Sequence, residues 1–362
     1  MNINRLFYLL LVCISLLSCK ENLHTTHVER AYYYWKNATS SLTADELNYI
    51  QNDSIEKLYV KFFEVEIDSI LGTIPTAKTN LGINFWGFEG KDSIYKNRIE
   101  KIQIIPTVYV RNNVLLNTSK GALDTLADNI LFLTNKYFTD YYRSITTPFS
   151  ELQLDCDWTP TTRDNYFYLL KKIKELSGKT ISATLRLYPY KYPDKMGVLP
   201  VDKAMLMCYN LNNPLSKKTE NSILENKVLE SYLKDVKKYP IHVDIAFPVF
   251  NWVLLYKNNT YSGIIYPQLT TRLKDCLKQI EDNWFVVEKD IFIYENNILL
   301  KAGDKLKIEE VSTETLKKSI ASIQKYVELS DTTTVTLFHL DEQNLKQYSN
   351  ETIHSFYTDF TE

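Results

Sequence analysis

A chain of 362 residues suits one large domain or two medium ones, and 42 Lys and Arg against 44 Asp and Glu leave a formal net charge of -2. That balance offers no electrostatic footprint for nucleic acid, and only 9 glycines argue against glycine-rich phosphate loops. The 26 tyrosines fit surfaces that stack on planar or sugar-like groups.

The N-terminus reads as a targeting segment rather than part of the fold. Arg5 supplies a positive start, and Leu6 to Leu17 is an apolar run too short for a comfortable membrane span. It ends Leu16-Leu17-Ser18-Cys19, which resembles the bacterial lipoprotein box. The resemblance implies that residues 1–18 are a signal peptide, that Cys19 is lipidated, and that 19–28 form a tether. The chain would then be held extracytoplasmically on the cell membrane or outer membrane. An ordinary signal peptide with an incidental cysteine is the alternative. Cys156, Cys208 and Cys276 remain further on; their odd number and spacing match no zinc pattern, and they read as buried thiols.

Residues 29–362 carry alternating strand and helix patterns. Strand-like runs fall at Arg30–Lys36, Lys57–Val65, Lys101–Val110, Glu151–Trp158, Thr180–Tyr188, Lys203–Asn210, Ile241–Phe250 and Thr333–Asp341. Helical patterns fall at Thr43–Gln51, Lys120–Arg143, Thr161–Leu176, Ile223–Lys238 and Thr313–Val327. Thr43 followed by Glu46 has the spacing of a capping box. Such alternation predicts an α/β fold with a parallel sheet, and eight strands favour a closed (β/α)8 TIM barrel. The helix between strands 5 and 6 looks missing or reduced. A long excursion covers about 66–100, and a small β-rich insertion covers about 253–312, between strand 7 and strand 8. Within the insertion, Asp290 to Lys301 reads as a hairpin turning at Asn296-Asn297.

Active sites of such barrels sit at the C-terminal ends of the strands. Those ends collect Trp35, Glu64, Asp155, Asp157, Trp158, Arg186, Tyr188, Tyr209, Asn210, Phe250, Trp252, His339 and Asp341. Aromatic rings stack on the C–H faces of a sugar, and carboxylates accept its hydroxyls or act as acid and base. Asp155 and Asp157 stand at i and i+2, so both should face the barrel interior.

Leu154-Asp-Cys-Asp-Trp158 is similar to the fourth-strand motif of the chitinase-like glycoside hydrolases of family 18, Asp-Gly-x-Asp-x-Asp-x-Glu. Met205-Leu-Met-Cys-Tyr-Asn210 resembles that family's sixth strand and Phe247-Pro-Val-Phe250 its seventh. An insertion after strand 7 is also shared, and the whole chain resembles Gram-negative bacterial lipoproteins with these landmarks. The resemblance implies a glycan or polysaccharide ligand, a monomer, and neither cofactor nor metal. It carries catalytic roles to Asp157, Asp155 and Tyr209. Trp35, Glu64, Trp158, Arg186, Tyr188, Asn210, Trp252 and Asp341 would contact the ligand.

The departures bear on activity. The family's general-acid Glu falls on Thr159, its first Asp on Leu152, and its sixth-strand Asp on Asn210. Threonine cannot protonate a leaving oxygen at neutral pH. Three outcomes stay open. Another carboxyl could serve, since repulsion between Asp155 and Asp157 could raise one of them, with Asp341, Asp244 or Glu64 opposite. The barrel could instead bind a polysaccharide or a protein partner without catalysis. The pair could also be a structural ion network with Arg186 and Lys61. For the anchor, Cys19→Ser is expected to move the protein from the membrane fraction to the soluble fraction of its cells. Continued pelleting of the variant with membranes would rule out lipidation at Cys19.

Overall fold

A computed structural model describes residues 25–36, 39–82, 101–142, 147–216, 220–236, 238–266, 271–294 and 297–361. The signal segment, Cys19 and residues 83–100 of the excursion lie outside the described residues.

Eight parallel strands form the main sheet: His27–Tyr34, Lys57–Asp68, Gln103–Val110, Glu151–Asp155, Thr180–Arg186, Lys203–Met207, His242–Pro248 and Thr332–Phe338. They are numbered first to eighth below. Each pairs in parallel with its neighbour, and the first pairs with both the second and the eighth, so the sheet closes. Helices Ala44–Asn52, Lys120–Tyr141, Arg163–Ser177, Asn226–Leu233 and Thr313–Tyr326 pack outside. The protein is a (β/α)8 barrel, and each strand overlaps one of the eight runs expected from sequence, the first and eighth beginning before their runs and the second ending after its run. Only the short helices Leu187–Lys191 and Pro193–Met196 separate the fifth and sixth strands.

Local chemistry explains the elements. Thr43 and Glu46 form a reciprocal capping box, and Ser119 and Ser312 each cap a helix by accepting a backbone N–H. In Arg163–Ser177, Tyr166, Leu169, Leu170 and Ile173 are buried, the i, i+3, i+4, i+7 stripe of a core-facing helix. Gly178 ends it in the left-handed region at φ 61. In the first strand, parity separates neighbours. Tyr32 turns outward, its ring 6.3 Å from Tyr357 of helix Asn350–Thr358, while the Tyr33 hydroxyl crosses the interior to Gln153 at 2.7 Å.

The insertion between the seventh and eighth strands is a five-stranded antiparallel sheet of Trp252–Lys257, Thr260–Ile265, Leu277–Glu281, Trp284–Val287 and Lys305–Glu309. A hairpin of Ile291–Ile293 and Ile298–Leu300 lies with it, and Val253, Leu255, Val287 and Leu306 belong to a core separate from the barrel's. Glu309 ties the sheet down. Fully buried, it takes Lys307 at 2.7 Å, the Ser222 N–H at 3.1 Å and the Trp252 indole N–H at 2.7 Å. Cys156 and Cys208 are buried free thiols, and Cys276 is half-buried.

At the N-terminal end of the barrel the interior is charged. Lys203 Nζ bridges Glu151 at 2.8 Å and Asp244 at 3.1 Å. Asp244 also takes His242 at 2.9 Å and the Thr334 N–H at 2.7 Å. Burial alone would raise the Asp244 carboxyl, but the His242 bond and the Lys203 charge outweigh it and hold the group at about 2. Asp244 therefore belongs to the barrel base, not to the strand ends where it was a candidate acid. Lys203→Met leaves two buried carboxylates without their cation. It is expected to destabilise the fold by about 3–5 kcal/mol, read from the urea unfolding midpoint. A loss below about 1 kcal/mol would show that the pair behaves like a surface contact.

Candidate functional site

The strand ends bring one aromatic layer together. Phe338, last residue of the eighth strand, is its hub: ring centroids lie 5.2 Å from Tyr209, 5.5 Å from Tyr33, 5.7 Å from Phe250 and 5.9 Å from Trp35. Trp252 continues the layer, 5.5 Å from Phe250. Trp35, Phe338 and Trp252 are half-buried, so the layer is packed below and partly open above. Phe338 and Tyr33 are not among the residues singled out by motif. Parity would have found both, because Thr334, Thr336 and Phe338 share one side of the eighth strand.

The carboxylates each have an engagement. Asp155 ends the fourth strand facing inward and accepts the Thr184 hydroxyl at 2.6 Å. Burial raises its carboxyl to about 6, with the Asp157 charge adding to the rise and Thr184 and Arg186 opposing it. Asp157 lies just past the strand end, where its side chain is 48% exposed and accepts from Arg186 Nε at 2.7 Å. The network expected between the pair and Arg186 is present at Asp157. Lys61 instead serves Glu64, at 2.8 Å. Glu64 also takes Arg111 at 2.9 Å, and Arg111 reaches Glu66 at 3.0 Å.

Two phenols border these acids. Burial first, then the charges of Asp157 and Asp155, pushes Tyr109 up to about 12. Tyr209 is buried with its hydroxyl unbonded, and burial lifts it well above the ordinary tyrosine value. Tyr109 was missed from sequence because it lies inside its strand, one residue before the end of Gln103–Val110.

The remaining strand-end residues divide between the outer layer and the rim. Trp158 packs outward, 5.3 Å from Phe167 and 6.4 Å from Tyr166, and is only 6% exposed. Strand parity is the reason, since Asp155 and Asp157 take the inward positions. Its ring is therefore not free to stack on a ligand. Tyr188 stands on the rim, 45% exposed and 4.9 Å from Tyr192. Asn210 is exposed in the left-handed region at φ 54, its N–H donating to Ile223 O at 2.8 Å. Asp341 caps helix Glu342–Leu345, accepting from the Gln343 N–H at 3.1 Å, and lies 3.5 Å from Lys36. Burial pulls His339 down to about 4, so it is a neutral imidazole at pH 7. Thr159 bonds Thr161 at 2.8 Å and Thr162 at 3.2 Å through its hydroxyl, and so belongs to the start of the following helix.

Among the described residues no group of three His, Cys, Asp or Glu is placed to hold a metal ion. A cavity of about 510 Å³ lies outside the barrel, lined by Phe63, Val65, Ile74, Leu126, Ile130 and Leu133 among others. It is apolar and separate from the strand-end residues, so the candidate site remains the barrel mouth.

No family model and no curated protein matches the chain. Solved structures do. The spore cortex-lytic enzyme SleL of Bacillus megaterium is similar at 16% identity and TM-score 0.50, over 91% of this chain and 74% of that one. The family 18 chitinase ChiB of Flavobacterium johnsoniae is similar at 16% identity and TM-score 0.47, over 92% and 95%. Human YKL-39, a pseudo-chitinase with retained chitooligosaccharide binding, is similar at 8% identity and TM-score 0.48, over 92% and 99%. The likeness to SleL establishes the barrel fold.

The raised Asp155 carboxyl has a thermodynamic signature. Between its unfolded value near 4 and its folded value of about 6, the folded chain holds a proton that the unfolded chain has lost. Stability therefore falls as pH rises through that window and stays lower above it. Asp155→Asn keeps an acceptor for Thr184 and cannot ionise. It is expected to be more stable than wild type by about 3 kcal/mol at pH 7.5, and equal near pH 4. Thermal unfolding at the two pH values checks this. The same offset at both would mean that burial does not perturb Asp155.

Proposed function

We propose that this protein is a monomeric, membrane-anchored lipoprotein whose barrel mouth binds an extracytoplasmic glycan without cleaving it. One observation carries the reading: apart from the buried Asp155, every mouth carboxylate considered as a replacement acid is already committed. Glycoside hydrolysis needs a carboxyl that can give its proton to the leaving oxygen. Asp157 is paired with Arg186, Glu64 with Lys61 and Arg111, and Asp341 with a helix end. Thr159 supplies a hydroxyl tied into the next helix. What remains is a layer of Trp35, Phe338, Phe250 and Trp252, whose faces and edges suit the C–H surfaces of a sugar.

A second reading has one observation in its favour. Asp155, raised to about 6, holds a proton in the range a general acid needs, with a second carboxylate beside it. Its burial and its bond to Thr184 weigh against that use.

The two readings separate in a binding and hydrolysis screen of the full chain in detergent against neutral oligosaccharides, followed by mass spectrometry of the ligand. A binder returns its ligand intact. Trp35→Ala is expected to weaken binding by at least about tenfold, the order of one lost stacking contact, and Asp155→Asn to leave affinity nearly unchanged. Shortened products that disappear in Asp155→Asn would overturn the binder reading in favour of hydrolysis.

A further inference from the structure

We propose that Arg186 is a selectivity residue: held by Asp157, it makes the mouth favour uncharged sugars over anionic ones. The inference rests on the glycan-binding reading and adds the class of sugar. Among the described residues four cations stand around the mouth, and each meets a carboxylate. Lys36 is 2.5 Å from Glu46 and 3.5 Å from Asp341. Lys61 is 2.8 Å from Glu64, and Arg111 is 2.9 Å from Glu64 and 3.0 Å from Glu66. Arg186 is 2.7 Å from Asp157. Set against these four are five carboxylates, before Asp155 is counted. A uronate or sulfate group entering the mouth therefore meets no surplus of positive charge among the described residues.

Arg186 is the cation best placed to matter. Its side chain is 33% exposed and that of Asp157 48%, so the pair can be reached from solvent, and it borders the buried Asp155 and Tyr209. Asp157 takes the Nε–H of Arg186, so an anionic ligand reaching the other guanidinium N–H groups would bring its charge beside the Asp157 carboxylate and Asp155, where like charges disfavour each other. A neutral hydroxyl brings no such charge. A carboxylate has two accepting oxygens and a guanidinium five N–H donors, so hydroxyls can add to the pair without breaking it. The pair thus presents donors and acceptors but no net charge, which disfavours anions while leaving neutral rings to the aromatic layer.

The test is isothermal titration of the full chain in detergent with chitotetraose, tetragalacturonate and sodium sulfate as probes. Wild type is expected to bind the neutral tetramer at least about tenfold more tightly than the anionic one. Asp157→Asn removes the charge that occupies Arg186 and keeps the shape of the side chain. It is expected to gain about tenfold or more in affinity for tetragalacturonate, to bind sulfate measurably, and to lose both gains in high salt. Asp157→Asn with Arg186→Gln should show neither gain. If wild type binds the neutral tetramer and Asp157→Asn gains no anion affinity, the selectivity assignment fails and glycan binding stands. A gain that survives in the double variant overturns the assignment to Arg186. If wild type binds neither tetramer, glycan binding fails and the assignment falls with it.

Discussion

Closure of the sheet between the first and eighth strands decides what every inward side chain can touch. Once Ala31 is registered against both Lys57 and Thr336, the alternate residues of eight strands share one interior with little water in it. Polar groups placed there must find partners among themselves. At the base they do so through Lys203 between Glu151 and Asp244. Above it, Tyr33 reaches Gln153, and the Ser182 hydroxyl donates to Glu151 at 2.6 Å. At the mouth the pattern loosens. Asp155 is still bonded inside, Asp157 emerges to meet Arg186, and the Tyr209 hydroxyl finds no partner. The Thr336 hydroxyl lower in the barrel is also without a partner, but the Tyr209 phenol stands at the mouth, where a ligand with hydroxyls could complete it.

The same closure explains how much could be read from the sequence. Strand and helix positions were legible because buried parallel strands are apolar runs and the helices carry caps and 3.6-residue stripes. The insertion was legible because its hairpin and the break in alternation are local signals. Residues at the strand ends were legible as a set but not as individuals. Trp158 follows two acids and looks like part of their site, yet counting by two from Asp155 turns it outward against Tyr166 and Phe167. Trp252 lies on the mouth's aromatic layer, but its indole N–H is also the tether that holds Glu309 and the insertion. That bond joins residues 57 apart in sequence, so no local pattern signals it. Phe338 was the converse case, with no motif around it and the hub position in space.

The charge pattern at the mouth has a physical logic beyond fold. Two carboxylates at i and i+2 on one strand repel each other, and a protein can relieve that by protonating one or by pairing one. This barrel does both: burial holds the proton on Asp155 up to a pH of about 6, and Arg186 neutralises Asp157. A catalytic pair needs one exposed acid that keeps its proton and one carboxylate that stays charged near the reacting carbon. Here the protonated member is the inaccessible one, and the accessible member is the one already paired. Exchanging those two environments, rather than adding a carboxyl at Thr159 alone, is what hydrolysis at this mouth would need. A glutamate at 159 would keep the backbone bonds that position 159 makes to Thr162 and Arg163, and would still stand two residues from an Asp157 held by its guanidinium.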